Sequence, residues 1–142
     1  MTSRIMLSTI LLLALSGCRS PTNPLISSPW VACGTGDAMT QTTLYFGLNR
    51  PQGTAINETE WQSFVDEQVT PRFKNGLTVL AAKGQWMGND GQLARENSKA
   101  LLLIHAANQT SEQGIEALRA LYKQRFAQDA VMRVDNPVCV AF

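Results

Sequence analysis

From Thr42 to Leu48 apolar and other positions alternate, with Leu44, Phe46 and Leu48 set against Thr43, Tyr45 and Gly47, and this period of two predicts a strand. Asn57 then caps a helix, with Glu60 placed to complete a capping box, and Trp61, Phe64, Val65 and Val69 mark one helical face. Thr70-Pro71 ends that helix, because a residue before proline is steered away from the α region. Leu77–Trp86 predicts a second strand and Ser98–His105 a third, joined by a tight turn at Asn89-Asp90-Gly91, where these residue types accept positive φ cheaply. Ala100-Leu101-Leu102-Leu103-Ile104 is apolar at every position, as expected of a central strand. Thr110 or Ser111 is expected to cap a second helix whose stripe is Ile115, Leu118, Leu121, Tyr122 and Phe126, with Gly114 weakening its first turn slightly. Ala130–Val134 and Val138–Phe142 predict a last strand, broken at Asp135-Asn136-Pro137, where proline points to an edge or a bulge.

The order β-α-β-β-α-β is that of an α+β, ferredoxin-like domain: a four-stranded antiparallel sheet in the order 4-1-3-2 with two helices on one face. If Leu44, Phe46, Ala100, Leu102 and Ile104 face the helices, then Tyr45, Leu80, Leu101, Leu103 and His105 face outward as an apolar patch with a polar rim. Such patches commonly mark partner or ligand surfaces. A homodimer through this face is the expectation, the alternative being a face covered by the tether or by C-terminal residues.

The front of the chain has a different pattern. Met1-Thr2-Ser3-Arg4 carries one positive charge, and Ile5–Leu15 is apolar apart from Ser8 and Thr9. This is the form of an export signal, and the run is too short for a membrane span, which needs about 20 apolar residues. Leu15-Ser16-Gly17-Cys18 resembles the bacterial lipobox. The resemblance implies a signal peptide over 1–17, diacylglycerol on the Cys18 thiol, cleavage after Gly17 and acylation of the new amino terminus. The alternative is a plain secretory signal with an incidental cysteine. Residues 18–40, rich in Ser, Thr, Pro, Asn and Gly, read as a lipidated start and flexible tether, and 41–142 as a single domain. Arg19 is not the aspartate associated with inner-membrane retention, so by the same resemblance the outer membrane is favoured over the inner, with the domain facing the periplasm.

Composition narrows the partners. The chain has 12 Lys and Arg against 11 Asp and Glu, with no basic patch, which argues against nucleic acid and makes lipid, rather than charge, the link to a membrane. Of the 3 cysteines, Cys33 and Cys139 remain after Cys18. An exported chain meets an oxidising compartment, and in the expected topology Cys139 ends the fourth strand beside the start of the first, just after Cys33, so a disulfide between them is sterically reasonable. Two free thiols or half a metal site are the alternatives. No metal site is expected, since His105 is the only histidine and no C-x-x-C pair occurs.

A family resemblance rests on Thr43-Leu44-Tyr45-Phe46-Gly47-Leu48, Glu60-Trp61-Gln62-Ser63-Phe64, Thr70-Pro71-Arg72-Phe73 with Gly76-Leu77-Thr78-Val79, Gly84-Gln85-Trp86, Arg95-Glu96-Asn97-Ser98-Lys99, Tyr122-Lys123-Gln124-Arg125-Phe126 and Cys139-Val140-Ala141-Phe142. Together these resemble the uncharacterised bacterial family known as domain of unknown function 3574, over about residues 40–142. The resemblance implies a domain that ends with this chain, and no catalytic residue.

Tyr45, Trp86, Arg95, Glu96 and His105 are candidates to line one pocket, with Arg72 and Tyr122 at its margin, and His105 is its natural acid-base group. The simpler reading is that His105 is a surface or partly packed residue, that Arg95 and Glu96 pair across the hairpin, and that Trp61 and Trp86 fill core. No nucleophile elbow, metalloprotease, P-loop or dinucleotide motif occurs, and no cofactor is expected. The expectation is therefore a lipid-anchored binding or structural module of the cell envelope, with a homodimer, an envelope partner or a small molecule as its company. The alternative is a cofactor-free enzyme of the oxygenase or isomerase kind with its pocket near Tyr45, Trp86 and His105.

Overall fold

A computed structural model describes residues 32–87 and 90–142. The expected signal, Cys18 and the tether up to residue 31 lie outside these residues, as does Asn89 of the hairpin turn. The elements are β1 Asp37–Gly47, α1 Glu58–Phe64, β2 Thr78–Met87, β3 Leu93–His105, α2 Gln109–Phe126 and β4 Met132–Val140. They form an α+β unit with one antiparallel sheet in the order β2-β3-β1-β4, the expected order read from the opposite edge.

Both helices take their ends from asparagines. Asn57 accepts from the Glu60 N–H while the Glu60 carboxylate accepts from the Asn57 N–H, the expected capping box. For α2 the cap is Asn108, whose side chain accepts from Ser111 N–H at 2.9 Å, in place of the expected Thr110 or Ser111. Asparagine is at least as good a cap as either hydroxyl residue. After Phe64 the first helix widens into a π-type turn over Val65–Val69, closed by Thr70 N–H on Val65 O at 2.9 Å, and it stops at Pro71 as expected.

The core lies between the helices and one sheet face. Phe46 near the end of β1 meets Trp61 and Phe64 from α1 and Tyr122 from α2, with ring centroids 4.5 to 5.9 Å away, and Leu44, Leu101, Leu103, Ile115 and Leu118 pack in the same layer. Tilted and edge-on rings at these separations add about 0.5–1.5 kcal/mol per pair beyond their burial.

Three expectations about the strands are corrected. First, β3 turns the other way: Leu44 stands opposite Leu101 and Thr42 opposite Leu103, so Leu101, Leu103 and His105 point to the helices and Ala100, Leu102 and Ile104 to the open face. A strand apolar on both sides carries no period with which to choose a face, and a shift of one residue inverts it. Second, β1 begins at Asp37, so the last expected tether residues already belong to the sheet. Third, β4 runs unbroken through Asp135-Asn136-Pro137. It is an edge strand, as proline implied, and on an edge a missing N–H need not interrupt the ladder.

Cys33 and Cys139 form the expected disulfide, with Cα atoms 5.6 Å apart across 106 positions of chain. The approach between them needs a glycine: Gly36 has φ +83°, and a Cβ there would sit 2.3 Å from Val140 O. Replacing Cys139 with Ser should lower unfolding stability by about 2–4 kcal/mol, read from urea titration of oxidised protein. In the same assay Leu101→Ala should cost about 2–5 kcal/mol and Leu102→Ala clearly less; the reverse ranking would overturn the assigned facing of β3.

Candidate functional site

Where β3 ends and α2 begins, the chain after the first helix folds back across the same end of the sheet. Thr70-Pro71 stops the helix, Phe73 N–H still bonds Val69 O at 3.0 Å, and Gly76 with φ +131° turns the chain into β2. The Phe73 ring packs on Gly114, where a Cβ would lie 3.3 Å from Cζ. Gly114 is thus the seat of an aromatic side chain, a reason that helix propensity alone does not supply.

These segments enclose an open cavity of about 730 Å³. Arg72, Phe73 and Lys74 line it from the loop, Ile104 and His105 from β3, Asn108, Thr110 and Ser111 from the start of α2, and Met39 from β1. Its volume lies within the range of small-molecule sites.

His105 is buried under the helix layer, 8 % exposed, where a surface residue on the open face was expected. Its Nε2 lies 2.8 Å from Thr42 Oγ1 and its Nδ1 3.0 Å from Ala106 O, while Phe73 stands edge-on to the ring. The Thr42 hydroxyl donates to Asp135 Oδ1 at 2.6 Å, so Thr42 links the His105 ring to Asp135. Beyond Asp135 the chain of contacts continues through Arg133, whose guanidinium bonds Asp135 and reaches Glu112 and Glu116 on α2. Arg119 bonds Glu116 and also donates to Val131 O. This network joins β3, β1, β4 and α2.

Of the residues expected to line or border a pocket, Arg72 and His105 meet in this cavity and the others do not. Tyr45 lies on the opposite face of the sheet. Trp86, expected in the core, is 49 % exposed near the β2–β3 turn. Glu96 lies over Gly47 and accepts weakly from Asn49 N–H at 3.4 Å, while Arg95 donates to Gln85 Oε1 at 2.9 Å, so the expected Arg95–Glu96 pair is replaced by separate contacts. Residues adjacent in a strand point to opposite faces, which disfavours that pair. Tyr122 is in the core with its hydroxyl donating to Gly47 O at 2.8 Å, and burial, with Glu96 nearby, pushes its pKa far above the ordinary phenol value. Lys74, Thr110, Ser111, Thr42 and Asp135 were not among the candidates for a site. Only the pairing register brings Thr42 beside both His105 and Asp135, and no short-range motif carries that information.

The open face is the second feature. Tyr45, Leu80, Ala100, Leu102, Ile104, Met132, Val134 and Val138 share it by register, with Thr43, Gln41 and Asn136 between them. Leu80, Met132 and Val134 are 51, 57 and 40 % exposed, and no charged side chain interrupts these residues.

Residues 41–142 match the family model described as a protein of unknown function, DUF3574. The chain belongs to that family. None of the curated proteins matches the chain. Among solved structures, a phage SAM lyase in complex with S-methyl-5'-thioadenosine is similar at 19 % identity and TM-score 0.53, covering 72 % of this chain and 83 % of that one. The same lyase in its apo state gives 18 % identity and TM-score 0.55, covering 70 and 81 %. CutA from Synechococcus elongatus gives 11 % and 0.50, covering 74 and 81 %. At such identities the DUF3574 chain shares a fold with these proteins, and the likeness goes no further.

The network predicts how stability follows pH. Arg133 holds the Glu112 carboxyl below its ordinary value of 4.5; for Glu116 and Asp135 burial opposes the shift, but hydrogen bonds from Arg119, Arg133 and Thr42 outweigh it. Depressed carboxylates stabilise the fold above their unfolded values, 4.5 for Glu and 3.8 for Asp, and that contribution is lost as pH falls through their lower folded values. Urea unfolding of the wild type should therefore weaken progressively below pH 4.5, and Arg133→Met should flatten that dependence. An unchanged slope in the variant would show that Arg133 does not hold these groups.

Proposed function

We propose that this DUF3574 protein is a lipid-anchored module of the bacterial cell envelope whose ferredoxin-like domain pairs with a second copy through the open sheet face. The observation that carries the reading is the apolar middle of that face, where Leu80, Met132 and Val134 are exposed. Charged groups steer a surface toward an oppositely charged partner, and register leaves them only at the ends of this face, Asp37 at the start of β1 and Glu96 near the β2–β3 turn, whereas an identical copy presents the same apolar middle about a two-fold axis. The antiparallel sheet, with both helices packed against its other side, supports the ferredoxin-like assignment.

The anchor is argued from the sequence. The apolar run followed by Leu15-Ser16-Gly17-Cys18 supports lipidation at Cys18, a periplasm-facing domain, and the outer membrane in preference to the inner. The disulfide fits an exported chain, because such bonds persist in oxidising compartments. The enzyme reading is weaker: Tyr45 and Trp86 stand on the open face, His105 beneath the helices, and the ring nitrogens of His105 are both engaged.

Two measurements test this. Metabolic labelling with radioactive palmitate should mark the wild type and leave Cys18→Ala unlabelled. The full chain carrying Cys18→Ser should sediment as a dimer at micromolar concentration, and Leu80→Lys with Val134→Lys should convert it to a monomer that still unfolds cooperatively. Monomer alone in the parent chain would sink the pairing.

A further inference from the structure

The cavity beside His105 is lined by two cations and by no carboxylate. Arg50, Lys99, Arg119, Arg125 and Arg133 each touch a carboxylate. Arg72 and Lys74 touch none among the described residues; Arg72 bonds only the carbonyl and side-chain oxygens of Gln68. Both cations line the cavity, and no aspartate or glutamate does.

Cations without counter-charge are ordinary on a convex, solvated surface. Here they flank a concavity of about 730 Å³ whose wall includes Phe73 and Ile104 and whose rim carries the hydroxyls of Thr110 and Ser111, neither of which has a side-chain partner among the described residues. Low-dielectric walls concentrate the field of such charges within the cleft. The floor is held in place, because His105 is tied to Thr42 and Ala106, and Phe73 to its seat on Gly114.

We propose that this cavity binds a small organic anion, a phosphate or carboxylate joined to an apolar or aromatic group, with Arg72 and Lys74 on the anion and Phe73 and Ile104 on the apolar part. Thr110 and Ser111 supply neutral donors to the same oxygens. His105 is a positioning residue for the floor and Phe73. The cavity lies round the end of the sheet, reached by His105 from the helix side and by Met39 and Ile104 from the open face, and neither Leu80 nor Val134 of the proposed pairing surface lines it.

The probe is phenyl phosphate, titrated calorimetrically into the full chain in an uncharged detergent, with inorganic phosphate and benzyl alcohol as its two halves. Phenyl phosphate should bind more tightly than either half, and Arg72→Gln with Lys74→Gln should weaken it by about tenfold or more. Both side chains are exposed and in no ion pair, so the variant should keep the wild-type unfolding midpoint. Leu80→Lys with Val134→Lys should leave the affinity unchanged while abolishing pairing, which separates this site from the sheet face. Equal affinity in the double-glutamine variant, or phenyl phosphate no tighter than benzyl alcohol, would overturn the proposal. A second arm identifies the source of the anion. Co-sedimentation of the Cys18→Ser chain with phosphatidylglycerol vesicles but not with phosphatidylcholine, lost in the double-glutamine variant, would place it on a lipid headgroup. Calorimetric binding without co-sedimentation would make it a soluble metabolite.

Discussion

The pairing of β1 with β3 sets everything else in this domain. Opposite residues of an antiparallel pair project to the same side, so Leu44 against Leu101 commits Leu103 and His105 to the helix layer and Ala100, Leu102 and Ile104 to the open face. A slip of one residue would remove Leu101 and Leu103 from the core and carry His105 out of the cavity. What holds the register is the aromatic layer: Phe46 has room among Trp61, Phe64 and Tyr122 only if it points toward the helices, and β1 then dictates the facing of its neighbours.

The same commitment places polar groups in the helix layer. Thr42 is fully buried and His105 nearly so, at the end of the sheet where β4 supplies Asp135 and Arg133. A buried hydroxyl or imidazole left without partners would cost about 1–3 kcal/mol, and here each is satisfied by a neighbouring strand. Arg133 then leaves the sheet for α2, so β4, which holds only one strand neighbour, is tied to the helix layer as well as by the disulfide near its end.

What the sequence made legible follows from the range of each signal. Element types, the capping box, the proline stop, the edge position of β4 and the cysteine pair rest on local chemistry or on topology, and all are found in the structure. The facing of β3 was missed because five consecutive apolar residues carry no period. The α2 cap was missed because Asn108, Thr110 and Ser111 all qualify within one turn and only geometry selects Asn108. The candidate site suffered most: Tyr45, Trp86 and Glu96 were grouped with His105 by proximity along strands, and strand alternation with the length of the hairpin separates them. Lys74 had no distinguishing context until Arg72 beside it and the start of α2 across from it enclosed a common space.

The disulfide also fixes which end of the domain any N-terminal anchor holds. Cys33 is bonded to the end of β4, and β1 starts at Asp37, so the chain arrives at the sheet end that carries Met39, Ile104 and His105, the end of the cavity. The β2–β3 turn, with Trp86 and Leu93, is at the opposite end. Any chain entering through Cys33 therefore joins the domain at its cavity end, with the hairpin at the other. The open sheet face runs along the length of the domain, so pairing through it about an axis parallel to the strands leaves both points of attachment at one end.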